Sequence, residues 1–233
     1  MVTGEIVRVA STAIVAPSSR VLSYSPLNRR SVRPAKKWQP PEGISPADCK
    51  AVIAAATCER DRLLLRVLWA TGGRISEVLA LRGCDVRRDC LVMVNLKNPS
   101  QRVKTVYLSA GDADLPGELL LWQQERGLAT DAYLFPSRQG PQLSSNQAWQ
   151  IVKDASRRAG VGVLAMRPSK DGEAGQPAPV HPHIFRHARV RQIVRSTKSL
   201  PLAQKQAGWS RLQMAYLTIG DEEARAMMAG VTE

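Results

Sequence analysis

Acidic side chains are in short supply in this 233-residue chain: 20 Asp and Glu stand against 33 Lys and Arg, a net charge of +13 and an isoelectric point near 10.2. A surplus of that size predicts a polyanionic partner. Long apolar runs are missing too. No stretch approaches the roughly 20 residues that span a bilayer, and neither end carries a lipidation motif, so a membrane partner is not expected. The opening MVTGEIVRVASTAIVAPSSR has an acid and scattered arginines where a secretory leader would place a basic cluster and a clean apolar core. Cysteine is sparse and poorly spaced for a metal. Cys49, Cys58, Cys84 and Cys90 form no C-x-x-C pair and have no nearby histidine, which argues against zinc. Reduced thiols of a cytosolic protein fit better, with Cys58 expected in the core. No internal repeat is visible, so a repeat architecture is not expected.

The chain divides into an arm, residues 1–43, and a folded part, residues 44–233. The arm is rich in proline and serine and gathers Arg29, Arg30, Arg33, Lys36 and Lys37. Such sequence buries too little apolar surface to hold a fold. It reads either as a solvated linker or as a strap along a phosphate backbone, where each neutralised phosphate adds salt-dependent affinity.

Past the arm, helical signals dominate. Ser45 and Pro46 make a good helix start before PADCKAVIAAA. RDRLLLRVLWAT has a broad apolar face and stops at Gly72-Gly73. RISEVLALRG follows at once, with Arg74 in its first turn, where a cation opposes the helix dipole and so needs a local reason. CLVMVNL and RVKTVYL alternate as strands around a polar NPSQ turn. Helices are then expected at PGELLLWQQERG, at SSNQAWQIVKDASRRAG between Ser144 and Gly160, at His183–Thr197, at LAQKQAG, and in two short segments to the C-terminus. Residues 161–180 are rich in glycine and proline and read as a surface loop. The fold class is mainly α with a small antiparallel β-sheet of three strands or fewer, an α+β arrangement.

Chemistry concentrates between His181 and Thr218. His183 and Arg186 lie one helical turn apart, Gly208-Trp209 follows, and Tyr216 comes next. Arginine and the indole N–H are donors suited to phosphate oxygens, and a tyrosine hydroxyl can attack phosphorus.

Taken together these residues resemble the tyrosine recombinase family, the phage integrases and their relatives. ATGGRISEVLALRGCDV is similar to the family's first signature, with Arg74 followed three positions later by Glu77. HPHIFRH resembles its H-x-x-R-H box, giving His183, Arg186 and His187. QAGWS resembles the glycine–histidine/tryptophan element in the Trp form used by Cre, and the 23 positions from Arg186 to Trp209 match the family separation. The resemblance covers about residues 44–233. Two features depart from it. Tyr216 follows Trp209 by seven positions, two fewer than usual, and Thr218 takes the ordinary place. The segment TIGDEEARAMM after Tyr216 is similar to the Cre segment after its nucleophile, so a two-residue deletion with the tyrosine retained is the reading. The residues before 44 are also too few for the helical core-binding domain that many members carry, which leaves room for an accessory DNA-binding protein.

The resemblance implies a site-specific recombinase, cytoplasmic and nucleoid-associated, of the kind mobile elements carry, that works on double-stranded DNA as a dimer or tetramer. It implies no metal and no other cofactor. Arg74 and Arg186 would stabilise the charge growing on the phosphorane oxygens. His183 would handle the tyrosine proton, and Trp209 would donate to a phosphate oxygen. Lys97, at the end of the first strand, would protonate the departing 5′ oxygen, with Lys104 on the second strand as the alternative acid and otherwise a DNA contact. Tyr216 would form a 3′-phosphotyrosyl link, Glu77 would orient Arg74 or His183, and His187 would support the site from behind. Two rivals remain: a type IB topoisomerase-like nicking and closing enzyme, and a decayed recombinase that only binds DNA.

Overall fold

The structure, a computed structural model, describes residues 44–96, 102–163 and 178–209. Its centre is helix α2 (Glu59–Thr71), in which Leu63, Leu64, Leu65, Val67 and Leu68 are all fully buried. A helix that is apolar nearly all round has to be surrounded. Helices α1 (Pro46–Ala54), α3 (Ile75–Leu79), α4 (Leu115–Glu125) and α6 (Pro182–Thr197) pack against it. Helix α5 (Ser145–Arg158) covers α1 and α3, and α7 (Leu200–Ala207) sits on α6.

Local chemistry sets the boundaries. Ser45 Oγ accepts from Asp48 N (3.1 Å) and Asp48 reaches back to Ser45 N (2.8 Å), and Ser144 with Gln147 repeats the same reciprocal cap at α5. Gly72 ends α2 in the left-handed region at φ 57°, releasing the chain toward α3. Helix α3 is shorter than the sequence pattern predicts. After Leu79 the backbone turns outward to pair elsewhere: Leu81 O accepts from Leu134 N (3.0 Å) and Arg82 bridges Tyr133.

Strands β1 (Cys90–Val94) and β2 (Val103–Tyr107) form an antiparallel pair with Met93 opposite Lys104 and Val94 opposite Val103. A second, two-residue pairing joins β3 (Gly162–Val163) to β4 (Ala178–Pro179), at the ends of the segment expected as a loop. Helix α7 covers the outer edge of β2, where the Gln206 amide accepts from Tyr107 N (3.1 Å) and donates to Tyr107 O (3.3 Å). A side chain thus completes hydrogen bonds that another strand would make, blunting an open edge.

One expectation fails in the core. Cys58 is exposed; it precedes α2 in extended conformation, one turn ahead of the helix's apolar stretch. Cys49 on α1 takes the buried place instead, and burial pushes its thiol up to about 12. The two helices expected beyond Trp209 lie outside the described residues.

Candidate DNA-cleavage site

Three breaks in the helical chain build the site: the α2–α3 turn, the first turns of α6, and the end of α7. Gly73 is closely surrounded: a Cβ there would lie 2.9 Å from Met93 Cε, 3.0 Å from Thr71 Oγ1 and 3.1 Å from Val78 Cγ2, so a side chain would make these neighbours shift. The next residue, Arg74, caps α3 in extended conformation. Its awkward place at a helix N-terminus is explained by Glu77, fully buried one turn on. Glu77 Oε1 accepts from Arg74 Nη1 (2.6 Å), and Oε2 accepts from the Arg74 backbone N–H (3.2 Å). The carboxylate compensates the guanidinium and aims it.

Lys104 enters the same cluster from β2. It is 2% exposed, and its Nζ donates to Glu77 Oε2 (2.8 Å) and toward Ala207 O (3.4 Å). Lys104, expected as the alternative acid or else a DNA contact, is thus buried against Glu77 instead of open to solvent. The β2 alternation puts it on the inner face with Val106, where Glu77 is its ion-pair partner among the described residues. Burial raises the Glu77 carboxyl, but the Lys104 and Arg74 charges outweigh it and hold the group below its usual range. Burial lowers the Lys104 ammonium; Glu77 opposes that shift, while Arg186 and Arg74 add to it.

Arg186 arrives on α6 and is also 2% exposed. Its Nη1 donates to Gly72 O (2.7 Å) and its Nη2 to Ala207 O (2.9 Å). The fork is therefore held between the end of α2 and the end of α7. Its guanidinium carbon lies 5.5 Å from the centre of the Trp209 ring, within range of a cation–π contact. Trp209 itself is clamped by its backbone, its N–H donating to Gln204 O (3.1 Å) and its carbonyl accepting from Gln204 Nε2 (3.2 Å). A cleft of about 210 Å³ opens beside Lys104, Gly208 and Trp209.

Gly208 is the residue that lets α7 end here. It sits at φ 67°, and a Cβ would lie 2.8 Å from Lys104 Cδ and 3.1 Å from Asn95 Nδ2. The buried Asn95 amide also donates to Gly208 O (3.4 Å). Gly208→Ala is expected to cost about 1–3 kcal/mol through the strained backbone alone, with a further loss from the Lys104 contact. Urea unfolding measures it, and unaltered stability would mean the turn is not held as described.

His183 stands exposed one turn before Arg186, its ring set edge-on to His181 at 6.2 Å. His181 stacks on Trp149 at 6.5 Å, and Lys153 Nζ lies 4.6 Å from the Trp149 ring centre. Burial and the neighbouring His183 lower His181. His187 is half-buried, and burial, then Arg191, His183, Arg186 and His181, push it down to about 4. It is neutral at pH 7, as a residue behind the site should be.

Of the residues singled out in the sequence, Arg74, Glu77, Arg186 and Trp209 are thus brought together. His183 stands at the start of the same helix, and Lys104 is drawn in from an unexpected side. Lys97, Tyr216 and the arm residues Arg29, Arg30, Arg33, Lys36 and Lys37 lie outside the described residues. Asn95 and Gly208 escaped the sequence reading as site residues.

The model of the phage integrase family matches residues 44–218, and the chain belongs to that family. Among particular relatives, it is 34% identical over 152 residues to the tyrosine recombinase XerC of Xanthomonas axonopodis pv. citri, covering 65% of this chain and 43% of XerC. It is 28% identical over 197 residues to XerD of Pseudomonas putida, covering 79% of this chain and 59% of XerD. The chain therefore spans about half the length of these curated relatives. Its fold matches that of the XerA recombinase (TM-score 0.64, 21% identity, 82% of this chain and 65% of XerA). It also matches a lambda integrase dimer bound to a COC′ core site (TM-score 0.58, 17% identity, 82% of this chain and 65% of that one). Among the described residues no helix is long and apolar enough to cross a membrane.

Proposed function

We propose that this chain is a site-specific DNA recombinase that cuts and rejoins duplex DNA through a 3′-phosphotyrosyl intermediate. The supporting observation is the convergence of Arg74, Arg186 and Trp209, far apart in sequence, through Glu77 and the Gly72 and Ala207 carbonyls. A phosphodiester seated against them meets two rigid guanidinium forks and an indole donor. Donors fixed in advance stabilise the pentavalent transition state without reorganising.

In this reading Tyr216 attacks phosphorus, the bond to the 5′ oxygen breaks, and Lys97 supplies the proton that leaves with it. His183, exposed at the mouth of α6, takes up and returns the tyrosine proton. The phosphotyrosyl link preserves the bond energy, so a 5′ hydroxyl from a second duplex completes exchange without ATP. Two or four protomers on paired sites provide that second duplex. XerH has been seen bound to its difH substrate and lambda integrase as a dimer on a core site, which favours the same kind of assembly here. The arm strengthens the grip on DNA, and an accessory DNA-binding protein assists it.

The deciding experiment uses a supercoiled plasmid with two copies of a site taken from DNA flanking the gene. Recombination between the copies is the expected product. Relaxation without exchange, whatever the sequence, would make the chain a nicking and closing enzyme. Tight binding with neither product would make it a DNA-binding relic.

A further inference from the structure

Arg189 lies one helical turn beyond Arg186, is 6% exposed, and has no part in the proposed chemistry. Its Nη2 donates to Asp112 Oδ2 and to Ser109 Oγ, both at 3.1 Å, and its Nη1 donates to Gln192 Oε1 at 2.8 Å. The guanidinium carbon is 5.4 Å from the centre of the Trp69 ring on α2. Its Nε, fully enclosed, has no hydrogen-bond partner among the described residues. Burial lowers its pKa and Asp112 resists that shift.

As a source of stability this arrangement is poor. Removing two charges from water offsets most of what their attraction returns, and apolar side chains of similar volume often serve as well or better. An unmet buried N–H adds to the cost. What the pair does supply is geometry. Asp112 and Ser109 lie in the short turn after β2, so the ion pair fixes how far α6 can rotate or slide against the sheet. The Arg189 methylenes also lie beside Gly72 and fill the space a side chain there would need: a Cβ at Gly72 would lie 3.3 Å from Arg189 Cγ. The Gly72 carbonyl is the acceptor for Arg186 Nη1. One turn of α6 thus carries the phosphate-binding fork, and the next turn carries the residue that braces the fork's own acceptor.

We infer that the Arg189–Asp112 pair is a positioning device that sets the plane of the Arg186 guanidinium by locking α6 and bracing the Gly72 carbonyl. The inference rests on the recombinase reading for its catalytic consequence, but its structural half can be measured without any activity.

The test compares the full chain with the double variant Asp112→Leu/Arg189→Met, which replaces the buried pair by apolar groups so that folding is kept. Two readouts are taken: solvent exchange of the Arg186 guanidinium protons by NMR, and covalent cleavage of nicked duplex at saturating DNA. The double variant is expected to unfold at the parent's temperature or above. Its Arg186 protons should exchange about tenfold faster or more, and cleavage should fall about tenfold or more while DNA affinity stays within about twofold, since a small misplacement acts on the chemical step and not on binding. Parent-like proton exchange overturns the inference, and so does fast exchange with undiminished cleavage. A parent chain that forms no adduct refutes the recombinase reading instead, and the exchange rates then still decide whether the pair positions Arg186.

Discussion

Glu77→Gln is expected to lower the free energy of unfolding by about 3–5 kcal/mol at neutral pH, the cost of leaving a buried charge without its partner. Lys104 is 2% exposed, and among the described residues its ion pair is with Glu77. With an amide in place of the carboxylate, burial and the two neighbouring arginines act on the ammonium without the counterforce that Glu77 exerts in the parent. The sign of the pH dependence follows. In the variant the folded state holds the lysine proton less tightly than the unfolded chain, so stability rises with pH up to the ordinary lysine value. The defect should therefore be largest near neutrality and shrink on the alkaline side. The parent has a separate acid limb: Glu77 is held below its ordinary value, so its contribution is present above that value and is lost as pH falls through the folded one. Glu77→Gln/Lys104→Met, which removes both charges, should recover more than half of the loss. Urea unfolding from about pH 2 to 10 checks all three statements, and a defect that does not vary with pH on the alkaline side would show that Lys104 is not the group left stranded.

The second large effect concerns chemistry more than folding. Arg186→Lys keeps the charge but loses the fork that holds Gly72 O and Ala207 O together. An ammonium cannot span both carbonyls and present the same planar set of donors. Cleavage at saturating DNA is expected to fall about 10²–10³-fold, the usual loss when a preorganised donor to a transition-state oxygen is removed. DNA affinity should change little, because the charge remains and most binding comes from contacts to the phosphate backbone. Single-turnover cleavage and equilibrium binding separate the two. A proportional loss of both would place Arg186 in ground-state binding instead.

Part of the proposed site was legible because the proposed chemistry fixes residue type and order. Arg74, Glu77, Arg186 and Trp209 could be read from motif and spacing, and the structure joins them. The helix breaks at Ser45, Gly72 and Ser144 were equally plain, since capping chemistry is local. The burial of Lys104 was not foreseen, for a definite reason. Period-two alternation in VKTVY does place it on the inner face with Val106, but a charged residue at a core position is ordinarily taken for surface. The signal was present and was outweighed by residue type. Arg189 is harder. At three positions past Arg186 it shares a helix face with it, yet only the fold brings Asp112, which lies 77 positions earlier, to its side. Gly208 was visible as half of a motif, but not as the point where a side chain would strike Lys104. That collision depends on how α7 meets β2.

Covalent trapping tests the central claim most directly. The chain and its Tyr216→Phe variant are incubated with nicked duplexes drawn from the DNA flanking the gene, then denatured and examined for a protein–DNA adduct. The account predicts an adduct with the parent and none with Tyr216→Phe, although both bind the duplex equally well. An adduct that survives the substitution, or a parent that binds tightly and never forms one, would contradict it.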